Sequence, residues 1–184
     1  MEFTISNDTS DALDILYNQF FTLNSIFDNA VSYMLNEWCM PNASNIIHLN
    51  LAHTFPLLAD KVSEIKDTYN LRSIRLDIDK HDETYLNLED LTKTLVDNCN
   101  VVQSMFVSVF KIANENAEIS VISQLIDVQK DFNKLYAQVL TLHDKAKQMP
   151  EEYDKFDRHI STWGIVGLGW GSTQWLLEEH HLIK

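Results

Sequence analysis

The sequence predicts an all-α protein: a four-helix bundle with one long crossover between its second and third helices. Three observations carry that prediction. All four glycines, at 164, 167, 169 and 171, lie near the end, so the first 163 residues lack the residue that a β-rich fold uses in its tight turns. Four long segments repeat apolar residues at helical spacing. The links between these segments run short, long, short, the connectivity of a bundle with a single crossover.

The first stripe holds Leu13, Leu16, Phe20, Leu23, Phe27, Ala30, Met34 and Trp38. It is expected to open near Ser10, with Asp11 and Asp14 in the first turn, where acids complement the helix dipole. The second runs from about Ser44 to Tyr69 through Ile47, Leu51, Phe55, Leu58, Val62 and Ile65, and Pro56 should kink it. Asn87 is the expected cap of the third, which continues through Leu88, Leu91, Leu95, Val102, Phe106, Val109 and Ala113. The fourth carries Ile122, Leu125, Phe132, Tyr136, Val139 and Leu140 before Pro150 stops it. Short links around Pro41 and Asn116 imply antiparallel neighbours. The 17 residues LRSIRLDIDKHDETYLN can travel the length of the bundle, so helices two and three should run parallel.

Composition changes after Pro150, which divides a bundle over 1–149 from a Gly/Trp-containing extension over 150–184. A short helix over 151–163 would place Tyr153, Phe156, Ile160 and Trp163 on one side, and STQWLLEEHHLIK would form a last one. The intervening GIVGLGWGS lacks GxGxxG, is not followed by GK[ST] and has no strand before it, so it is a joint and not a phosphate loop. Trp163, Trp170 and Trp175 suit docking onto the bundle or onto a neighbouring subunit.

The charge balance, 27 acidic against 14 basic residues for a net −13, repels phosphate and makes direct nucleic-acid binding unlikely. Cys39 and Cys99 form neither a disulfide framework nor a CxxC pair. The N-terminus carries acids where a secretory signal needs basic and apolar stretches, and no run of about 18 apolar residues exists to span a membrane. A cytoplasmic protein is expected.

Over 10–148 the chain resembles the ferritin-like superfamily, particularly the Dps branch of mini-ferritins. The resemblance rests on the order of elements, NEWC at the end of helix one and the crossover into LEDLTKTL. VVQSMF in helix three and QKDFNKLY in helix four add to it. It implies a homo-oligomeric cage that binds or stores iron with ferroxidase chemistry, or that protects DNA from oxidants.

The family's di-iron centre needs a Glu from two helices and an ExxH from the other two. Here the acid–x–x–His spacing occurs only at Glu178 and His181 in the tail, while helix two offers Asn50 before His53. Angular position brings Asn24, His48, Asn98 and Gln129 to the apolar stripes and turns Asp97, Asp127 and Asp131 away, with Asp28 at the margin. Neutral amides do not balance the charge of two iron ions, so the intra-bundle centre is expected to be missing. A second site, which the family places between subunits, would draw on His53, Asp60 and Glu64 from the outward face of helix two. Glu37 stands just before Trp38, where the family has a histidine. The plain alternative for these four residues is a solvated acidic face.

Other clusters carry less. DIDKHDE lacks the glycine and terminal glutamate of an EF-hand loop, and the 178–181 Glu/His run sits at a chain end. Cys99 is expected in the core. No nucleophile motif supports hydrolase chemistry. Two functions therefore stand: an iron-handling Dps/ferritin-like oligomer, or a non-catalytic bundle that acts through protein–protein contacts.

Overall fold

The computed structural model describes residues 4–169. The predicted last helix, Trp170, Trp175 and the 178–181 cluster lie outside the described residues. The elements are α1 (Asn7–Glu37), α2 (Pro41–Ile47), a π-turn (His48–Ala52), α3 (Thr54–Asp67), α4 (Leu88–Glu115), α5 (Ile119–Gln148), α6 (Tyr153–His159) and a 3₁₀ turn (Ile160–Thr162). The predicted four-helix bundle with one long crossover is the observed fold.

Helix α1 begins one turn earlier than the sequence suggests. Ser6 caps it, its hydroxyl accepting from the Thr9 amide at 3.2 Å. Asp14 is therefore two turns inside the helix, not at its positive end. Asn87 caps α4 as expected, accepting from the Asp90 amide at 3.0 Å, while Asp90 reaches back to the Leu86 amide at 3.0 Å. The α4–α5 turn is closed by Ala117 at φ 55°.

The predicted second helix is broken. Pro56 has no amide to offer the Ala52 carbonyl one turn back, and the backbone answers with a π-turn in which His53 N bonds His48 O at 3.1 Å. The kink thus falls just before the proline, as the i−4 clash requires.

The four bundle helices are α1, the α2–α3 unit, α4 and α5, with α3 and α4 parallel. At one end Lys66 of α3 meets Asp14 of α1. At the other, the Leu88 amide opening α4 bonds Pro150 O at 3.0 Å. The crossover is strapped to α1 along its path. Asp14 Oδ1 accepts the Ile74 amide at 3.1 Å, and Asn18 Oδ1 accepts the Leu76 amide at 2.8 Å. Further along, Asn29 donates to Glu83 O at 3.2 Å, and the Tyr33 hydroxyl donates to Tyr85 O at 3.2 Å.

After α5 the chain folds back over the α2 end of the bundle. Asp157 of α6 accepts the Ala43 amide at 2.7 Å and the Asn42 side chain at 2.9 Å, so it caps α2, which has no capping side chain of its own. Trp38 stacks on Tyr153 with centroids 4.7 Å apart. Residues 165–167 then lie between the π-turn and α5. Asn50 donates to Ile165 O at 2.7 Å, and Gln138 Oε1 accepts the Val166 and Gly167 amides at 2.9 Å each. Gly167 has φ +66°, and a Cβ there would stand 2.6 Å from Asn50 O, so the strap seats only with glycine at this point.

Candidate functional site

The middle of the bundle is aromatic. Phe20, Phe106 and Phe132 lie with centroids 5.8–6.2 Å apart, and Phe27 meets Phe55 edge-on at 4.8 Å. All five rings are fully buried. Leu23, Leu58, Leu95, Val102, Val128 and Leu135 belong to the same buried core. Cys99 sits in the same core, and burial pushes its thiol up to about 12, leaving an inert apolar residue.

The four polar residues that angular position brings to the interior lie at seams between helices instead. Asn24 donates to Ala52 O at 3.2 Å, the carbonyl orphaned by Pro56, and to Asp28 Oδ2 at 3.2 Å. His48 Nδ1 pairs with Asp28 Oδ1 at 3.0 Å, and both side chains are about two-fifths exposed. Asn98 turns back to Thr94 O of its own helix at 2.9 Å. Gln129 reaches Gln103 at 3.4 Å. Long polar side chains leave an apolar stripe wherever a seam lets them reach backbone or water.

The buried polar groups are others, and the angular argument missed them. Lys66 is 1% exposed and bonds Asp14 Oδ2 at 2.6 Å. Asn18 donates to both Asp14 O and Ile74 O at 2.7 Å. Asp131, expected to point away, is buried at the α3–α5 seam with Lys61 at 2.8 Å and Lys134 at 3.0 Å. Burial alone would raise the Asp131 carboxyl, but the two ammonium groups outweigh it and hold it below its ordinary value. The outward angle failed because Asp131 sits at a seam where Lys61 of α3 and Lys134 of its own helix bond the carboxylate.

The four outer-face residues lie at the surface, and the chain does not gather them into one group. His53, Asp60 and Glu64 are all exposed on α3 and the turn before it. Within one chain, however, the His53 ring lies against His48, centroids 4.0 Å apart, and beside Asp28. Burial and His48 lower its pKa, opposed by Asp28. Glu37 is exposed at the far end of α1. Because Lys66 sits level with Asp14, Glu64 is level with about residue 16, and Glu37 lies roughly 30 Å further along at 1.5 Å per residue. Any site uniting Glu37 with Asp60 and Glu64 would have to take them from different subunits.

Beside the π-turn, Asp28, Ser32, Ser44 and His48 border a surface pocket of about 420 Å³. Among the described residues, no three His, Cys, Asp or Glu side chains gather in a group that could hold a metal ion. No helix among them is long and apolar enough to cross a membrane.

No family model and no curated protein matches this sequence. Solved structures do. A humanized archaeal ferritin superposes with a TM-score of 0.77 at 15% identity, over 86% of this chain and 96% of that one. A closed form of the Archaeoglobus fulgidus ferritin, engineered by site-directed mutagenesis, gives 0.78 at 14% identity over 86% and 97%. The open pore ferritin of the hyperthermophilic archaeon Archaeoglobus fulgidus gives 0.78 at 13% over 85% and 96%. The chain thus has the ferritin fold across nearly the whole length of those proteins.

Proposed function

We propose that this chain is a Dps/ferritin-like subunit that assembles with copies of itself and takes part in iron binding or storage and oxidative-stress protection, without a di-iron centre inside its own bundle. The observation that carries this reading is the aromatic interior. A di-iron centre needs carboxylates and imidazole converging from four helices. Here the interior between the helices holds five buried phenyl rings, and Asn24 is engaged with a backbone carbonyl. The residues present do not fit that centre.

In this reading, iron as cargo meets the protein on its outer acidic faces. His53, Asp60 and Glu64 of one subunit would face Glu37 of another, supplying the hard oxygen and imidazole donors that iron takes. The bundle over 1–149 and the extension over 150–184 act as one subunit in a cytoplasmic homo-oligomer, and the acidic surface disfavours nucleic acid as a partner. The second reading is a non-catalytic helical bundle that acts through protein–protein contacts.

Native mass measured alongside metal content after ferrous iron and oxygen separates the two. A large oligomer that retains iron, and loses most of it on Asp60→Ala with Glu64→Ala, is the expected result. An iron-free oligomer would favour the assembly reading, and an iron-free monomer would overturn both.

A further inference from the structure

The groove between α1 and α2 holds the pocket of about 420 Å³ beside the π-turn, and neither Asp60 nor Glu64 lines it. Its lining runs along α1 from Asp28 to Asn36, a rise of about 12 Å at 1.5 Å per residue. Three stations along that length can accept a hydrogen bond or face a cation. At one end stands the Asp28 carboxylate, about two-fifths exposed. His48 donates to its Oδ1 at 3.0 Å and Asn24 to its Oδ2 at 3.2 Å, so each oxygen keeps a lone pair. At the other end, Leu35 and Asn36 belong to the last turn of α1. That turn carries no basic residue, and the orphan carbonyls of a helix C-terminus give it negative character. Between the two, Ser44 commits its hydroxyl hydrogen to Val31 O at 3.2 Å and keeps its oxygen as an acceptor.

The intervals are apolar, built from Val31, Leu35 and Pro41, and no lysine or arginine lines the pocket. An anion would find no cation here. A metal ion needs donors converging on one point, and among the described residues no three carboxylates, thiols or imidazoles do so. A linear polyamine fits both features, because its ammonium groups need acceptors at intervals and its methylene runs need apolar wall. The net charge of −13 draws such a cation to the surface.

We infer that this pocket binds a linear aliphatic polyamine. One terminal ammonium sits on Asp28, the inner nitrogen lies beside Ser44, and the other terminus reaches the C-terminal end of α1. This binding depends neither on the outer-face iron site nor on assembly.

Calorimetric titration of the full chain with spermidine tests it, at about pH 8, above the ordinary imidazole range. One spermidine per chain should bind, and butylamine, which reaches only one end, should bind at least tenfold more weakly. Asp28→Asn removes the charge but keeps an acceptor for His48, and it should weaken spermidine binding at least tenfold. Leu35 is 46% exposed, so Leu35→Lys sets a resident ammonium in the pocket without disturbing the core, and saturable binding should disappear. An unchanged unfolding midpoint in both variants ties these losses to the pocket.

Binding that does not saturate, displacement of spermidine by magnesium at matched ionic strength, or unchanged affinity in either folded variant would overturn the assignment. Butylamine binding as tightly as spermidine would overturn it too, since the pocket would then take a single ammonium such as a lysine side chain of another protein.

Discussion

The α4–α5 hairpin and the α1–α3 pair are built from helices of similar reach, yet they hold themselves together differently. Helices α4 and α5 run unbroken for 28 and 30 residues. Their polar links join side chain to side chain at the surface, as where the Tyr136 hydroxyl donates to Asn100 at 2.6 Å and Gln103 bonds Asn133. On the other side, the backbone is interrupted by Pro56, by the π-turn and by a crossover with no regular structure. There the polar side chains of α1 go to backbone: Asn24 to Ala52, Asn18 and Asp14 to Ile74 and Leu76. Backbone groups that lose their helical partner must find another, and α1 supplies it. The polar residues of α1 on this side therefore fasten backbone.

That contrast can be broken from either side. Phe132→Ala, on the regular side, removes a ring that meets three others and should cost about 4 kcal/mol by chemical denaturation. Asp14→Ala strands the Lys66 ammonium in the core and should cost about 3 kcal/mol, with faster amide exchange in the crossover. If the crossover were passively draped, its exchange would not change.

Asn24→Ala sharpens the comparison further. Leaving Ala52 O without a donor should cost about 2 kcal/mol. Pro56→Ala supplies a new amide to that carbonyl, so the second substitution should recover most of the loss, and a double-mutant cycle reads the coupling directly.

The smallest effect concerns Asp131. Its carboxyl is held below the ordinary value, so its contribution is present above about pH 4 and is lost as pH falls through the lowered value. Asp131→Asn should therefore destabilise by on the order of 1 kcal/mol at pH 6. The difference from the parent should shrink towards pH 3.

Much of the fold was legible because it depends on periodic features. The apolar stripes, the Asn87 cap and a crossover long enough to make two helices parallel all follow from local spacing. What escaped depends on tertiary partners. Asp14 reads as a dipole-complementing acid until Ser6 starts the helix a turn early and Lys66 arrives from 52 residues away. Asp157 gives no local sign that it will cap a helix 114 residues before it. The site was less legible still. Angular position brought His48 inward by carrying one helical phase into the segment where Pro56 introduces a π-turn, and it brought Asn24 inward without seeing that Ala52 O would draw its side chain to the seam.

Asn24 and Pro56 carry a consequence for how this sequence can change over time. A carboxylate at position 24 is the substitution that a metal-binding interior would call for. While Pro56 remains, that change would set two acceptors against each other at Ala52 O. Position 24 is thus coupled to a residue on a different helix, and a carboxylate there is accommodated only once the proline gives way to a residue with an amide.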